Sequence, residues 1–161
     1  MQTAKDTFLK ALATRLATVN ATRTVTVDGV TLPAVLAAEN ETAVPPDTLL
    51  ETFVLDWQNA TEALPGQGLM ELSCHVSYAT KGTAAMLGTD RGRILTAMDE
   101  ELMEICVPQW SAEYDYSQTT PAALGRRIFW STPALGSVKS DGQGALTRQA
   151  ELTVFCFAEA N

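Results

Sequence analysis

Between Gly68 and Lys81 the side chains alternate without a break. Met70, Leu72, Cys74, Val76 and Tyr78 fall on one side, and Glu71, Ser73, His75, Ser77 and Ala79 on the other. A period of two is what a strand produces, because successive side chains leave opposite faces of the pleat. One apolar and one polar row mean a sheet packed on one side and wetter on the other. Such a chain must bring in apolar surface to cover the packed side.

Two segments have the period to supply it. In residues 4–19, Phe8, Leu12, Leu16 and Val19 recur at spacings of four and three with Leu9 beside them, which predicts a helix with one apolar stripe. Thr7, Lys10, Thr14 and Arg15 fall largely off that stripe, and the polar face is not basic enough for a membrane-surface helix. The second helix is expected from near Asp90 to Cys106, burying Ile94, Leu95, Met98, Leu102 and Ile105, with Asp99, Glu100, Glu101 and Glu104 on its wet side. Pro108 stops it. Residues 83–89 are compatible with an earlier helical turn, against whose continuity Gly88 stands.

The stretch "TVTVDGVTL", residues 24–32, reads as a hairpin. Asp28-Gly29 suits a two-residue type I′ turn, in which both central residues need positive φ. That turn sets Val27 opposite Val30 and Val25 opposite Leu32, with the threonines on the other face. Pro33 either ends the second strand or begins a short helical turn through "AVLAAE". The next strand is expected at residues 50–57, followed by a polar connection, "NATEALPGQG". "PQWSAEYDYSQTTPAALG" reads as an aromatic-bearing loop, "RRIFWST" as a strand and "PALGSVKSDGQGALT" as a Gly-rich loop. A last strand runs from about residue 149 to 158, where bulky apolar residues on both faces predict partial coverage on both sides. The expected fold is α+β: one domain over residues 1–161, a mostly antiparallel sheet packed by two amphipathic helices. Mobile loops are expected at about 41–49, 109–125 and 131–148.

With 161 residues, 46% hydrophobic and 19% charged, the chain can bury a core without disulfide or metal staples. Cys74, Cys106 and Cys156 form an odd set without metal-ligand spacing, which reads as reduced core thiols. A formal net charge of −8 disfavours a binder of the phosphate backbone. No apolar run is long enough to span a bilayer, and the first residues show no signal-type apolar core. His75, the single histidine, lies off the apolar row and reads as a wet strand residue. "GTDRGR" lacks the spacing of a phosphate loop, and "SDGQG" that of a calcium loop. No catalytic, metal or cofactor residues are nominated, and a non-enzymatic chain is expected.

Several stretches in order, "FLKALATRL" then "TVTVDGVTL", "GLMELSCHVSYAT" leading into "DRGRILTAMDEELMEICV", and the closing "AELTVFCFAEAN", span much of the chain. In order and texture they resemble the tail-terminator, or tail-completion, proteins of long-tailed bacteriophages. The resemblance implies a tail-terminator-like fold and a homo-oligomer, a hexameric ring that caps the tail tube and joins it to the head-side connector. It places the protein in the virion tail or neck, assembled in the host cytoplasm, and asks for no catalytic residues. An acidic lumen would let DNA pass without sequence-specific binding.

Under this resemblance the suspected assembly contacts are chosen by placement. They are Val25, Val27, Asp28 and Val30 of the hairpin, Trp110, Tyr114 and Tyr116 of the aromatic loop, and Lys139 and Asp141 of the Gly-rich loop. The hairpin reads first as an element paired within its own sheet, and the aromatics first as core or loop anchors. The aromatic loop and Gly-rich excursion depart from the family's pattern. They leave open another neck or tail-tube component, or a small ligand- or protein-binding module with a deep apolar pocket near Trp57, Trp110 and Trp130.

Overall fold

The computed structural model describes residues 1–39 and 49–158, so the loop expected at 41–49 lies, up to residue 48, outside the described residues. In chain order the elements are α1 (Gln2–Val19), β1 (Thr24–Val27), β2 (Val30–Pro33), β3 (Val35–Ala37), β4 (Phe53–Glu62) and β5 (Leu69–Thr80). They continue with α2 (Arg91–Ile105), β6 (Ser111–Asp115), β7 (Ala122–Trp130), β8 (Ala134–Leu135), β9 (Lys139–Ser140) and β10 (Leu146–Phe157). The fold is α+β, a curled and mostly antiparallel sheet with two helices, in the order β3-β4-β5-β10-β7-β6.

The centre of the sheet is the pairing of β5 with β10. All twelve residues of each strand match in one unbroken antiparallel register, from Leu69↔Phe157 to Thr80↔Leu146. This places Leu72, Cys74, Val76 and Tyr78 beside Ala150, Leu152, Val154 and Cys156 on one buried face, as the alternation in both strands anticipates. Helix α1 lies in the hollow of this face and touches both β3 and β6, the two ends of the sheet path. Phe8 meets the rings of Trp57 and Trp130 edge-on, at 5.9 and 5.1 Å. Helix α2 adds Leu95, Met98, Leu102 and Ile105 to the same core.

The hairpin has the expected register, Val27↔Val30 and Val25↔Leu32, around Asp28 (φ 48°) and Gly29 (φ 80°). It forms a two-stranded sheet apart from the main one. Elsewhere, tertiary pairing overrides local sequence. "AVLAAE" is not a helical turn: Val35, Leu36 and Ala37 form β3, parallel to β4 and buried. A short run of buried apolar residues has no period that separates helix from strand, and the edge of β4 decides it. "NATEALPGQG" begins as strand, because β4 continues to Glu62 through a bulge between Trp57 and Ala60. "PQWSAEYDYSQTTPAALG" contains β6 and the start of β7.

The Gly-rich excursion also pairs. Val154 faces Trp130, Ala150 faces Leu135 and Leu146 faces Ser140, so each four-residue step on β10 answers to five on its partner. Two bulges thus keep residues 129–140 along one edge of β10. Gly136 sits in the second: its N–H donates to the Gln149 carbonyl at 2.9 Å, and a Cβ there would lie 2.7 Å from that oxygen.

Two surface assignments change as well. Thr7 is buried; its hydroxyl accepts from the Tyr114 N–H at 3.0 Å and donates to the Tyr114 carbonyl at 3.4 Å. Asp99 and Glu101 are drawn into ion pairs with Arg148 and Arg23, while Glu100 and Glu104 stay exposed.

Leu72 and Leu102, 1% and 0% exposed, report on the sheet–helix packing. Either Leu→Asp substitution is expected to cost more than about 4 kcal/mol, since an unpaired charge enters a dry core. Urea denaturation of the two variants checks this, and near-wild-type midpoints would contradict the packing.

Candidate functional site

The face of the sheet turned away from the helices is set by the same registers. Phe155 pairs with Phe129 on one side and Glu71 on the other, and Glu71 pairs with Thr61. Trp110, one residue before β6, lies 4.9 Å from Phe129, whose ring stacks on Phe155 at 4.6 Å. The result is an aromatic row crossing three segments of the fold, Trp110–Phe129–Phe155, with Phe157 two residues further along β10. Trp110 is 63% exposed and Phe157 48%, although each is large enough to bury more than 150 Å² in a core. Glu71 borders the row, and Arg127 lies two residues before Phe129.

Further along the sheet, Asp56, His75 and Glu151 are cross-strand neighbours on adjacent strands. The Asp56 carboxylate accepts from the Gln58 amide at 2.7 Å. Among the described residues no group of three His, Cys, Asp or Glu is gathered closely enough to hold a metal ion. This face is not uniformly wet, because Leu36 and Val54, paired beside Ser77, are buried.

The inner side is closed by polar locks. Tyr78 donates to Asp99 at 2.5 Å, and Arg148 donates to the other Asp99 oxygen at 2.7 Å. Burial first, then the bond to Asp99 and that carboxylate's charge, hold the Tyr78 phenol well above its ordinary pKa. Buried Glu113 on β6 accepts from Thr3 at 2.5 Å and from Arg126 at 3.2 Å. Arg15 of α1 donates to the carbonyls of Ile105 and Val107 at 2.7 and 3.0 Å, satisfying the end of α2, while its guanidinium lies 5.0 Å from the Trp130 ring.

The expected contact residues fall in separate places. Val25 and Val27 are half-buried, Val25 against the core, whereas Asp28 and Val30 stand at the exposed tip of the hairpin. Trp110, Tyr114 and Tyr116 share a shallow depression of about 290 Å³ with Thr7, Lys10 and Arg15. Lys139 is exposed in β9, and the Asp141 carboxylate accepts from the N–H groups of Gln143 and Ala145, shaping its own turn. Phe8 stands between Trp57 and Trp130, so the three tryptophans do not line one deep pocket. Phe129 and Phe155 were absent from the expected contacts. Phe155 and Phe157 do stand out locally as bulky residues off the buried row, but nothing local aligns them with Phe129 and Trp110.

Among the described residues no helix is long and apolar enough to cross a membrane. Compared with protein-family models and with curated proteins, the chain matches none.

The three cysteines are buried. Burial pushes the Cys106 thiol up to about 12, against a smaller downward pull from Arg15, and raises Cys74 further. Both remain thiols at pH 8, where the thiolate is the reactive form. Iodoacetamide at that pH is expected to leave the native protein unlabelled and to modify all three positions once denaturant is added. Mass spectrometry reads the difference.

Proposed function

We propose that the chain is a non-enzymatic structural subunit of a phage tail terminator or head–tail joint, forming a ring at the end of the tail tube. The observation that carries this reading is the aromatic row on the free face of the sheet. The protomer presents Trp110 largely, and Phe157 about half, to water, as a surface awaiting a partner does. The hairpin, a two-stranded sheet apart from the main one among the described residues, offers a second element with an exposed tip. The resemblance in element order supplies the ring, the tube and the connector as partners, and a location in the virion tail or neck. The net charge of −8 suits a lumen through which DNA passes without sticking.

A small ligand- or protein-binding module is the second reading. In its favour is a depression of about 410 Å³ over Ser77, Ala79, Thr147 and Gln149, closed on one side by Ser137 and Lys139.

Sedimentation velocity over a wide concentration range, followed by electron microscopy with and without tail tubes, tests the proposal. The expected result is a discrete ring-sized species, or capped tubes. A chain that stays monomeric at every concentration and leaves tube ends bare would overturn it.

A further inference from the structure

We propose that Asp28 is a site of spontaneous isoaspartate formation, and that the fold protects Asp141, the other aspartate with the same reactive neighbour. This chemistry does not depend on whether the chain assembles.

Aspartate followed by glycine occurs twice, at residues 28–29 and 141–142. In such a pair the glycine nitrogen attacks Cγ of the aspartate. The new N–C bond closes a succinimide ring, and a carboxyl oxygen leaves as water. Water then returns at one of the two ring carbonyls and breaks its bond to nitrogen. Attack at Cγ restores aspartate, whereas attack at the main-chain carbonyl leaves the chain running through Cγ, which is isoaspartate. The atoms balance, the mass is unchanged and water is the only reactant. Glycine favours the step because it has no Cβ to shield the attacking nitrogen.

Both pairs look alike in the sequence, and the structure separates them. The Asp141 carboxylate accepts from the N–H groups of Gln143 and Ala145 at 2.8 and 2.9 Å, both on one oxygen, and the Asp141 N–H donates to the Ala145 carbonyl at 3.2 Å. Closing the ring requires that carboxyl to turn towards Gly142, so both of its bonds would first have to break. The turn is also fixed from outside, since β9 and β10 pair beside it at Ser140↔Leu146.

Asp28 has no such restraint. It is exposed at the tip of the hairpin, and its side chain makes no hydrogen bond or ion pair with the described residues. Val25 anchors the base of the hairpin against the core, but Val30 at the tip is 57% exposed. A two-stranded sheet standing apart from the main one is weakly held, so its tip opens at small cost and lets the Asp28 carboxyl and the Gly29 nitrogen reach the ring geometry.

The product changes the hairpin. Isoaspartate lengthens the main chain by one carbon inside a two-residue turn whose closure depends on positive φ at Asp28 and Gly29. The Val27↔Val30 pair that the turn holds in register is then released. The reaction therefore reshapes an exposed element without a modifying enzyme, and its extent records the age of the folded chain.

Peptide mapping tests this. The native protein is kept for weeks in mildly acidic buffer beside a sample in guanidinium chloride, and both are digested. Electron-transfer fragmentation then distinguishes isoaspartate from aspartate. The native sample is expected to carry several-fold more isoaspartate at position 28 than at 141, and the denatured sample to carry it at both. Asp28→Asn retains a residue that the turn accepts and releases ammonia in place of water, so it should react faster than the wild type and show as a gain in mass. Asp28→Glu, whose ring closes far more slowly, should stay unmodified. Equal yields at 28 and 141 in the native protein would overturn the proposal. So would an Asp28 that reacts only in guanidinium chloride, or a native Asp28→Asn chain that keeps its amide.

Discussion

The fold depends on twelve consecutive residue pairs between β5 and β10. They join segments separated by more than sixty positions along the chain, yet the register never slips. Because side chains alternate across a sheet, that single register decides which residues of both strands enter the core and which face outward. A slip of one residue would expose Leu72, Cys74, Val76 and Tyr78 together. Everything added later, β4 on one flank and the bulged 129–140 segment on the other, takes its position from this pair.

Closure of the inner face follows from curvature. A curled sheet leaves a hollow into which one helix fits, and α1 fills it with Phe8 set between two tryptophans. Polar groups are then used to tie the helices down: Arg15 on the end of α2, Arg23 on Glu101, Arg148 and Tyr78 on Asp99. Pairs of this type add little net stability, because their desolvation offsets much of their attraction.

Much of this was legible before any coordinates. The alternation of residues 70–79 and the stripes of both helices report burial directly, since period and face are local properties. The Asp28-Gly29 turn also specified its hairpin register, because type I′ geometry is a matter of two residues. The short strands were not legible in the same way. Val35–Ala37 has no period to read, and Lys139–Ser140 is strand only because the edge of β10 is there to pair with it. The candidate contact surface was read in part: Trp110 was named, but its alignment with Phe129 and Phe155 is a product of three registers at once.

The chain by itself determined the α+β class, the two helical stripes, the hairpin turn and the burial of the central strand, all of which follow from spacings of two to four residues. Tertiary structure decided the strand order, the separation of the hairpin from the main sheet, the pairing of Asp99 and Glu101, and the gathering of distant aromatics into one row. Those outcomes depend on which edges and charges are brought within a few ångströms of each other. Neighbours in space are chosen by the packing of the whole domain, and no local spacing encodes them.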